Sequence, residues 1–378
     1  MVSFIKMTDE LYRPGLEGVI AGETAICQLE GGLTYWGYDV ADLAAQARFD
    51  EVAYLLLHGE LPNRAELAAF RQRLAQAATL PPPVVEMVRL IPRNVPTMDV
   101  LRTGVSALAH WDPDAADNSH AANLRKAERL VAQLPVLMAA RHRLRAGKEP
   151  IAADSRRGLA ENLLWMLSGA EPSEAAVRAM DISLVLYAEH DFNASTFTAR
   201  VVASTLSDLH SAIVAAIGAL KGPLHGGANE RALEVLNEIG SLAKAEFWTR
   251  DALARKERIM GFGHRVYKDG DPRATIIRPI VAEMARATGH EELEQTADVV
   301  ERIVREEKGL LPNVDWPSAR LYFYLGLPMD LYTPLFVVSR VTGWSAHVME
   351  QLDHNRLIRP LSRYAGPTAR AWVPLESR

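Results

Sequence analysis

"NASTFTARVVASTLSDLHSAIVAAIGAL", residues 193–220, decides the fold class of this chain. Its apolar residues recur at spacings of three and four, which is the period of an α-helix. The part from 211 to 221 is apolar on nearly all sides, and the same holds for 331–345. A helix of this kind is buried in a large core or in a subunit interface. The stretch therefore predicts helices inside a substantial helical protein.

The helical spacing continues on both sides of this stretch. Asn63, followed three residues later by Glu66, is typical of a capping pair that opens a helix, and Asp50 is expected to cap a helix that stops at Gly59. No alternation of strands and helices appears, so we expect an all-α fold. Further helices are predicted within 96–111, 123–147, 173–190, 229–241, 278–290 and 293–309.

One segment indicates strands. "AICQLEGGLTYWGY", residues 25–38, has two short apolar stretches around Gly31-Gly32 and predicts a small N-terminal β-hairpin. Gly261 and Gly263 begin a GxGxxG pattern, but Val266 occupies the third glycine position and no strand pattern precedes it. A dinucleotide-binding fold is therefore disfavoured.

Composition excludes several classes of protein. A net charge of −5 over 378 residues is too weak to direct the whole molecule to nucleic acid or to an anionic membrane, so neither is an expected partner. A single cysteine, Cys27, excludes an intrachain disulfide and a multi-cysteine zinc site and fits a reducing compartment. The N-terminal sequence lacks a long apolar core, and no run of about 18 apolar residues occurs. We expect a cytoplasmic protein.

The polarity of the chain indicates two domains. Residues 224–326 are more polar and richer in loops than the sequence on either side. We expect a large domain formed by 1–223 and 327–378, with 224–326 inserted between its halves as a small domain. Within the insert, cations outnumber acids by five to one, giving +4, between Arg255 and Lys268. This patch around a glycine-containing loop suits a phosphorylated ligand, and the alternative is a solvated basic face.

Three residues carry candidate chemistry. His264 follows Gly263, which allows a ligand to approach closely, and His225 precedes the predicted start of a helix, whose dipole favours a neutral imidazole. Asp315 lies in a turn before Trp316, where apolar cover can raise the pKa of a carboxylate. Each residue also has a structural interpretation. The two histidines could lie in turns and bond to the backbone, and Asp315 could cap a helix.

Arg340 lies within an otherwise apolar helix. Burying a guanidinium without an anion is costly, and its planar fork matches a carboxylate, so Arg340 indicates a carboxylate ligand or a structural ion pair. Arg273 and Arg359 are further candidates, and His190 interrupts two helical patterns where it could face the same cavity.

Taken together and in order, several segments resemble the citrate synthase family: "EHDFNASTFTARVVAST", "GPLHGGANE", "RIMGFGHRVYKDGDPRA", "NVDWPSA" and "YTPLFVVSRVTGWSAHVMEQLDHNRLIRP". The likeness extends over nearly the whole chain and suits the short bacterial and archaeal type. It implies an all-α homodimer whose two domains close over the substrates. It implies no permanently bound cofactor and no metal, with a coenzyme A thioester as co-substrate.

The resemblance also implies roles for individual residues. Asp315 would remove a proton from the acetyl group of acetyl-CoA, His225 would stabilise the resulting enolate, and His264 would donate to the carbonyl of oxaloacetate. Condensation and thioester hydrolysis would then give citrate and CoA. Oxaloacetate would be held by His190, Arg273 and Arg340, with Arg359 reaching the partner subunit's site. CoA would be recognised by the loop Arg258, Ile259, Met260, Gly261, Phe262 and Gly263.

Alternatives to this interpretation remain. A 2-methylcitrate synthase, which would use propionyl-CoA, shares the same motifs, and Trp316-Pro317 beside Asp315 departs from the usual family pattern in a way that bears on acyl preference. A helical metalloprotein is suggested by His347, Glu350 and His354, spaced at i, i+3 and i+7. A noncatalytic helical scaffold would bind no CoA.

Overall fold

The computed structural model describes residues 12–378 and shows a mostly α-helical chain, which confirms the predicted fold class. The predicted absence of a leader concerns residues that largely fall outside the described part. In that part, no helix is both long and apolar enough to cross a membrane. The helices are α1 (Val40–Gln46), α2 (Phe49–His58), α3 (Arg64–Ala77), α4 (Pro82–Leu90), α5 (Thr97–Leu108), α6 (His120–Arg145), α7 (Leu159–Ser168), α8 (Glu174–Tyr187), α9 (Ala194–Ser204), α10 (Leu209–Leu220), α11 (Ala228–Ile239), α12 (Leu242–Ala254), α13 (Pro272–Thr288), α14 (Glu291–Lys308), α15 (Asp315–Tyr324) and α16 (Tyr332–Asp353).

The N-terminal strands form a slightly larger sheet than the predicted hairpin. β1 (Cys27–Gln28), β2 (Thr34–Tyr35) and β3 (Tyr38–Asp39) pair in antiparallel order, and Gly31-Gly32 lie in the first turn as expected. The second turn is Trp36-Gly37, and both residues have positive φ, which is the geometry that a two-residue hairpin turn requires. The third strand escaped prediction because pairing with β2, and not a pattern in its own residues, creates it.

Helix ends show which capping predictions were right. Asn63 accepts hydrogen bonds from the backbone N–H groups of Ala65 and Glu66, and Glu66 bonds back to Asn63, so the capping pair is confirmed. Gly59 ends α2 with a φ of 85°. The prediction for Asp50 is wrong: it lies inside α2, is buried, and instead accepts hydrogen bonds from Arg71 and the backbone N–H of Leu159.

The core is built from the apolar helices that the opening stretch predicted. α9, α10 and α6 pack against α16, whose residues from Tyr332 to Met349 are buried except Phe336. α11 to α15 pack mainly on one another, while α13 also contacts α8 and α1, and α11 contacts α16. The two groups of helices therefore meet along α8 and α16.

Gly343 allows α16 to approach the end of α8. A Cβ atom at Gly343 would lie 2.1 Å from Glu189 Oε2 and 2.4 Å from the carbonyl oxygen of Ala188, distances that a real Cβ does not adopt. We expect Gly343→Ala to lower the free energy of unfolding by about 3 kcal/mol, since overpacking of a rigid core forces side chains and backbone to move.

The matched control is Gly218→Ala in α10, where the added Cβ meets nothing within 4 Å. This change is expected to be neutral or stabilising by up to about 1 kcal/mol, because alanine restricts the unfolded chain more than glycine does. Thermal unfolding of the two variants provides the comparison. Equal Tm values would contradict the close approach at Gly343.

Candidate active site

Two of the predicted site residues, His225 and Arg340, lie against the ring of Phe336, the one residue of the buried part of α16 that is not enclosed. Its ring centroid lies 4.7 Å from that of Tyr187 and 6.3 Å from that of His225, and the guanidinium carbon of Arg340 lies 4.6 Å from it. Tyr187 is in turn hydrogen-bonded to Asp315. The fold thus brings four segments that are distant in sequence into one cluster of side chains.

Asp315 is the first residue of α15, and its carboxylate does not cap that helix. Its Oδ1 accepts a hydrogen bond of 2.7 Å from the hydroxyl of Tyr187. Burial raises the pKa of Asp315, while the hydrogen bond from Tyr187 and the positive charge of Arg273 act in the opposite direction. Asp315 is therefore not a helix cap. Its carboxylate is desolvated, and its basicity is increased.

His225 lies two residues before Gly227, which caps α11 with a φ of 74°. Its Nε2 is 2.8 Å from Ser195 Oγ and 3.3 Å from the backbone nitrogen of Ser195. A backbone N–H can only donate, so Nε2 is an acceptor and the neutral ring carries its proton on Nδ1. Burial, with a contribution from Arg340, lowers the pKa of His225 to about 4. This imidazole is a neutral hydrogen-bond donor at neutral pH.

His264 is also neutral, but its tautomer is the opposite of that of His225. Its Nδ1 accepts hydrogen bonds from the backbone N–H groups of Val266 and Tyr267, at 3.1 and 3.2 Å. The remaining proton is therefore on Nε2. Burial and the nearby Arg273 lower the pKa of His264. The loop around Gly263 thus holds a second imidazole with a defined donor.

His190 follows α8 and has its ring 5.1 Å from that of His264. It is buried, and its Nε2 has no hydrogen-bond partner among residues 12–378. Burial, Arg273 and Arg340 hold the pKa of His190 well below its usual range. A buried polar atom without a partner is costly, so this nitrogen suits a ligand that fills the cavity.

Arg273 lies in the first turn of α13 and is buried against Asp271, with Nε and Nη2 at 3.0 and 2.8 Å from the two carboxylate oxygens. Asp271 also accepts the backbone N–H of Val314, the residue before Asp315. This carboxylate therefore fixes the arginine and the start of α15 together. The pKa of Asp271 is lowered because Arg273 and these hydrogen bonds outweigh its burial.

Arg340 is 1% exposed and donates through Nε to the carbonyl oxygen of Tyr187 at 2.6 Å. Within the described chain, no carboxylate forms an ion pair with it, which removes the structural ion pair from consideration. Burial lowers the pKa of Arg340, and the charge of Glu189 opposes this shift. A buried guanidinium without a paired anion favours binding of an anionic ligand.

Arg359 is not brought to this cavity within one chain. It lies in the exposed C-terminal segment, residues 354–378, which leaves α16 and has no regular structure except a short 3₁₀ turn at Leu375–Ser377. The beginning of this segment is fixed by hydrogen bonds from Asn355 and Ile358 to Ser204.

The predicted CoA loop pairs with residues 311–313. The backbone N–H of Gly263 donates to Leu311, and the carbonyl oxygens of Gly261 and Gly263 accept hydrogen bonds from the backbone and side chain of Asn313. Buried Phe262 packs on Trp316, which is fully buried beneath Gly261. Residues 258–260 form no hydrogen bond with other described backbone groups, and Arg258 is exposed whereas Ile259 is buried.

The adjacent basic patch is weaker than its sequence indicates. Arg255 forms ion pairs with Asp251 and Glu257, so its charge is already compensated. Lys256, Arg258, Arg265 and Lys268 are exposed. These four side chains are the cations that can reach a phosphorylated ligand at this surface.

Sequence reasoning missed three residues of the site: Tyr187, Ser195 and Asp271. Each acts through a neighbour, by holding Asp315, His225 and Arg273 respectively. The signal for Asp271 was its position two residues before Arg273. Tyr187 and Ser195 resemble ordinary helix residues, and only tertiary packing shows their contacts.

Two of the three predicted metal ligands, His347 and Glu350, lie on α16 and form other contacts, whereas His354 lies just beyond the end of this helix and is exposed. His347 Nε2 is 2.9 Å from Glu189 Oε1, and its Nδ1 is 2.8 Å from a guanidinium nitrogen of Arg200, which also pairs with Glu350. No group of three residues suited to a metal occurs between residues 12 and 378. The spacing on α16 therefore reflects a buried polar network.

Comparison with known proteins agrees with this geometry. The sequence profile "Citrate synthase, C-terminal domain" matches residues 15–361. "Citrate synthase 2" of Bacillus subtilis is 48% identical over 96% of this chain and 98% of its own length, and a "2-methylcitrate synthase" of Shewanella oneidensis is 45% identical over 98% and 99%.

Solved structures give the same result. Citrate synthase from Pyrobaculum aerophilum superposes with a TM-score of 0.89 at 38% identity, covering 96% of this chain and 94% of that one. Citrate synthase from Thermoplasma acidophilum, in its ternary complex with carboxymethyl coenzyme A and oxaloacetate, has a TM-score of 0.91 at 34% identity, covering 96% and 98%. Because the profile covers most of the chain and the relatives match it over nearly its whole length, this chain belongs to the citrate synthase family of acyltransferase-type enzymes.

Proposed function

We propose that this enzyme condenses acetyl-CoA with oxaloacetate and hydrolyses the resulting citryl-CoA to citrate and CoA, the entry reaction of the tricarboxylic acid cycle. The observation that carries the proposal is the desolvated Asp315 carboxylate, which Tyr187 links to Phe336, where the neutral His225 and Arg340 also lie. No carboxylate among residues 12–378 pairs with this arginine. We assign the enzyme to the cytoplasm, which suits its single cysteine.

Oxaloacetate is a dianion, and its recognition follows from the charges of the cavity. Arg340, which has no paired carboxylate among residues 12–378, would bind one carboxylate of oxaloacetate, and Arg273, which Asp271 holds in place, would contact the other. His190 offers the unpartnered Nε2. His264 Nε2 donates to the ketone oxygen of oxaloacetate. This donor polarises the carbon that the acetyl group attacks.

The acetyl group is activated from the other side of the cavity. Asp315 removes a proton from the methyl group, and its raised pKa matches this task better than that of an exposed carboxylate. The His225 Nδ1–H donates to the thioester oxygen and stabilises the enolate. The α-carbon then attacks the ketone, forming the new C–C bond while the ketone oxygen takes up a proton from His264.

Residues 224–326 form the small domain in this proposal, and 1–223 with 327–378 form the large domain. His264, Arg273 and Asp315 then lie on one domain, whereas His190 and Arg340 lie on the other. Binding of oxaloacetate draws the two domains together, which completes the acetyl-CoA site and excludes water while the enolate exists.

We further propose a homodimer in which Arg359 reaches the partner's cavity. The C-terminal segment carries apolar side chains that residues 12–378 leave exposed, among them Tyr364 and Trp372, at 72% and 77% exposure. Apolar surface of this kind marks an interaction site, and a second copy of the chain is the occupant that would bring Arg359 to a site.

Complementation tests this crossing. Arg359→Ala should lose oxaloacetate affinity as a homodimer, whereas a mixed dimer with Asp315→Asn should regain one working site, since that site combines an intact Asp315 with an intact Arg359. Activity is measured after unfolding and refolding the two variants together. Absence of recovery would show that Arg359 does not complete the partner's site.

A second candidate function is 2-methylcitrate synthesis from propionyl-CoA, favoured by the relative from Shewanella oneidensis with that name. One methylene group changes binding by only about 1–3 kcal/mol, so dual activity is compatible with the cavity. Comparison of kcat/KM for acetyl-CoA and propionyl-CoA, with oxaloacetate present, decides between them. A strong preference for propionyl-CoA would replace the first assignment.

A further inference from the structure

Tyr187, the last residue of α8, contacts both halves of the proposed machinery. Its backbone carbonyl oxygen accepts the Nε–H of Arg340 at 2.6 Å. Its hydroxyl lies 2.7 Å from Asp315 Oδ1 and 2.7 Å from Ser318 Oγ. A single residue thus joins the proposed oxaloacetate-binding arginine to the proposed base.

The direction of each hydrogen bond follows from the chemistry of the groups. An ionised carboxylate only accepts, so the Tyr187 hydroxyl donates to Asp315 and its oxygen accepts from Ser318. Burial and the charge of Asp315 raise the pKa of Tyr187 well above its usual value, and the side chain is 1% exposed. Tyr187 therefore stays protonated and remains a donor over the whole working pH range.

We propose that Tyr187 is a positioning residue that holds Asp315 Oδ1 and leaves Oδ2 as the oxygen that receives the substrate proton. This inference rests on the proposed condensation. In the step, the C–H bond of the acyl α-carbon breaks and its electron pair forms the C=C bond of the enolate, while the π pair of the thioester C=O moves to its oxygen. The proton forms an O–H bond at Oδ2.

The same contact controls how readily Asp315 is ionised. Burial favours the neutral carboxyl group, and the hydrogen bond from Tyr187 is the largest contribution that opposes it. Removal of the donor raises the pKa of Asp315 further. Because the base must be ionised to accept a proton, activity is then lost at a higher pH as the solution is acidified.

Tyr187→Phe tests the proposal because it removes the hydroxyl and keeps the carbonyl group that holds Arg340. We expect kcat to fall about 10- to 100-fold, which is the value of a hydrogen bond to a charged group. The acid limb of the kcat profile should move to higher pH, while KM for oxaloacetate should change less than about twofold. The deuterium isotope effect with trideuteroacetyl-CoA should increase, since proton removal becomes slower.

Tyr322→Phe is the matched control on α15. Tyr322 is equally buried, and its hydroxyl lies 2.6 Å from Ser183 Oγ, but it does not bond to Asp315. Its pH profile and isotope effect should equal those of the wild type. Ser318→Ala is a second variant, which weakens the same contact from the other side, and should shift the acid limb in the same direction by a smaller amount.

The possible outcomes distinguish failure of the proposed condensation from failure of the positioning role of Tyr187. If the wild-type protein releases no thiol from acetyl-CoA or propionyl-CoA with oxaloacetate, the proposed function fails. If the wild type is active but Tyr187→Phe keeps the pH profile and isotope effect of Tyr322→Phe, the positioning role is wrong. A large rise in KM for oxaloacetate with an unchanged kcat would also overturn it, because the effect would then act through Arg340.

Discussion

Replacing Asp315 with asparagine is expected to reduce condensation about 10²- to 10⁴-fold, the contribution of a positioned proton-transfer group. Asparagine has nearly the same shape and can still accept a hydrogen bond from Tyr187, so the cavity should persist. Oxaloacetate affinity should remain close to that of the wild type, since the arginines are unchanged. Thiol release and calorimetric titration with oxaloacetate measure the two quantities.

Asp181→Asn is the appropriate control for this change. Asp181 is also a buried carboxylate with a raised pKa, and it accepts hydrogen bonds from Arg48 and the backbone of Phe49, away from the cavity. The Asp181→Asn substitution should lower the free energy of unfolding without a loss of kcat comparable to that of Asp315→Asn. Loss of oxaloacetate binding by Asp315→Asn with condensation preserved would refute the role of Asp315 as base.

Replacing His225 with alanine is expected to lower kcat about 10²- to 10³-fold, the effect of removing one donor from a developing oxyanion. His225→Asn retains an amide N–H near the position of Nδ1 and should recover part of this loss. Since the pKa of His225 is about 4, the imidazole stays neutral above about pH 5. The pH profile should therefore show no limb from His225 in the neutral range.

Steady-state kinetics of both His225 variants with acetyl-CoA and oxaloacetate provide the measurement. His210→Ala serves as control, because His210 is buried beside Asp112 and does not contact the cavity. An alanine variant with normal kcat would contradict stabilisation of the enolate by His225. Equal losses in the alanine and asparagine variants would contradict the assignment of the donor to Nδ1.

The helical architecture was predictable because its signals are local. Apolar spacing, the Asn63–Glu66 pair and the glycine stop at Gly59 depend on residues within one or two turns. Asp50 failed as a cap because tertiary contacts with Arg71 and Leu159 compete for the same carboxylate. The third strand was missed because its partner, and not its own composition, creates it.

The candidate site was predictable only in part. Histidines beside glycines and an arginine in an apolar helix are visible in the sequence, and two of these residues, His225 and Arg340, do meet at Phe336. The residues that hold these side chains in place cannot be recognised in the sequence. Tyr187 and Ser195 act on residues more than 25 positions away through single hydrogen bonds. The tautomers of His225 and His264 likewise follow from backbone donors that only the fold brings near.

The most direct test of the account is a crystal structure with oxaloacetate and an unreactive acetyl-CoA analogue bound. It should place Asp315 Oδ2 within about 3 Å of the carbon that represents the acetyl methyl group, with His225 Nδ1 at the thioester oxygen and His264 Nε2 at the ketone oxygen. A complex in which the three side chains contact different cavities, or in which the ligands bind elsewhere, would contradict it.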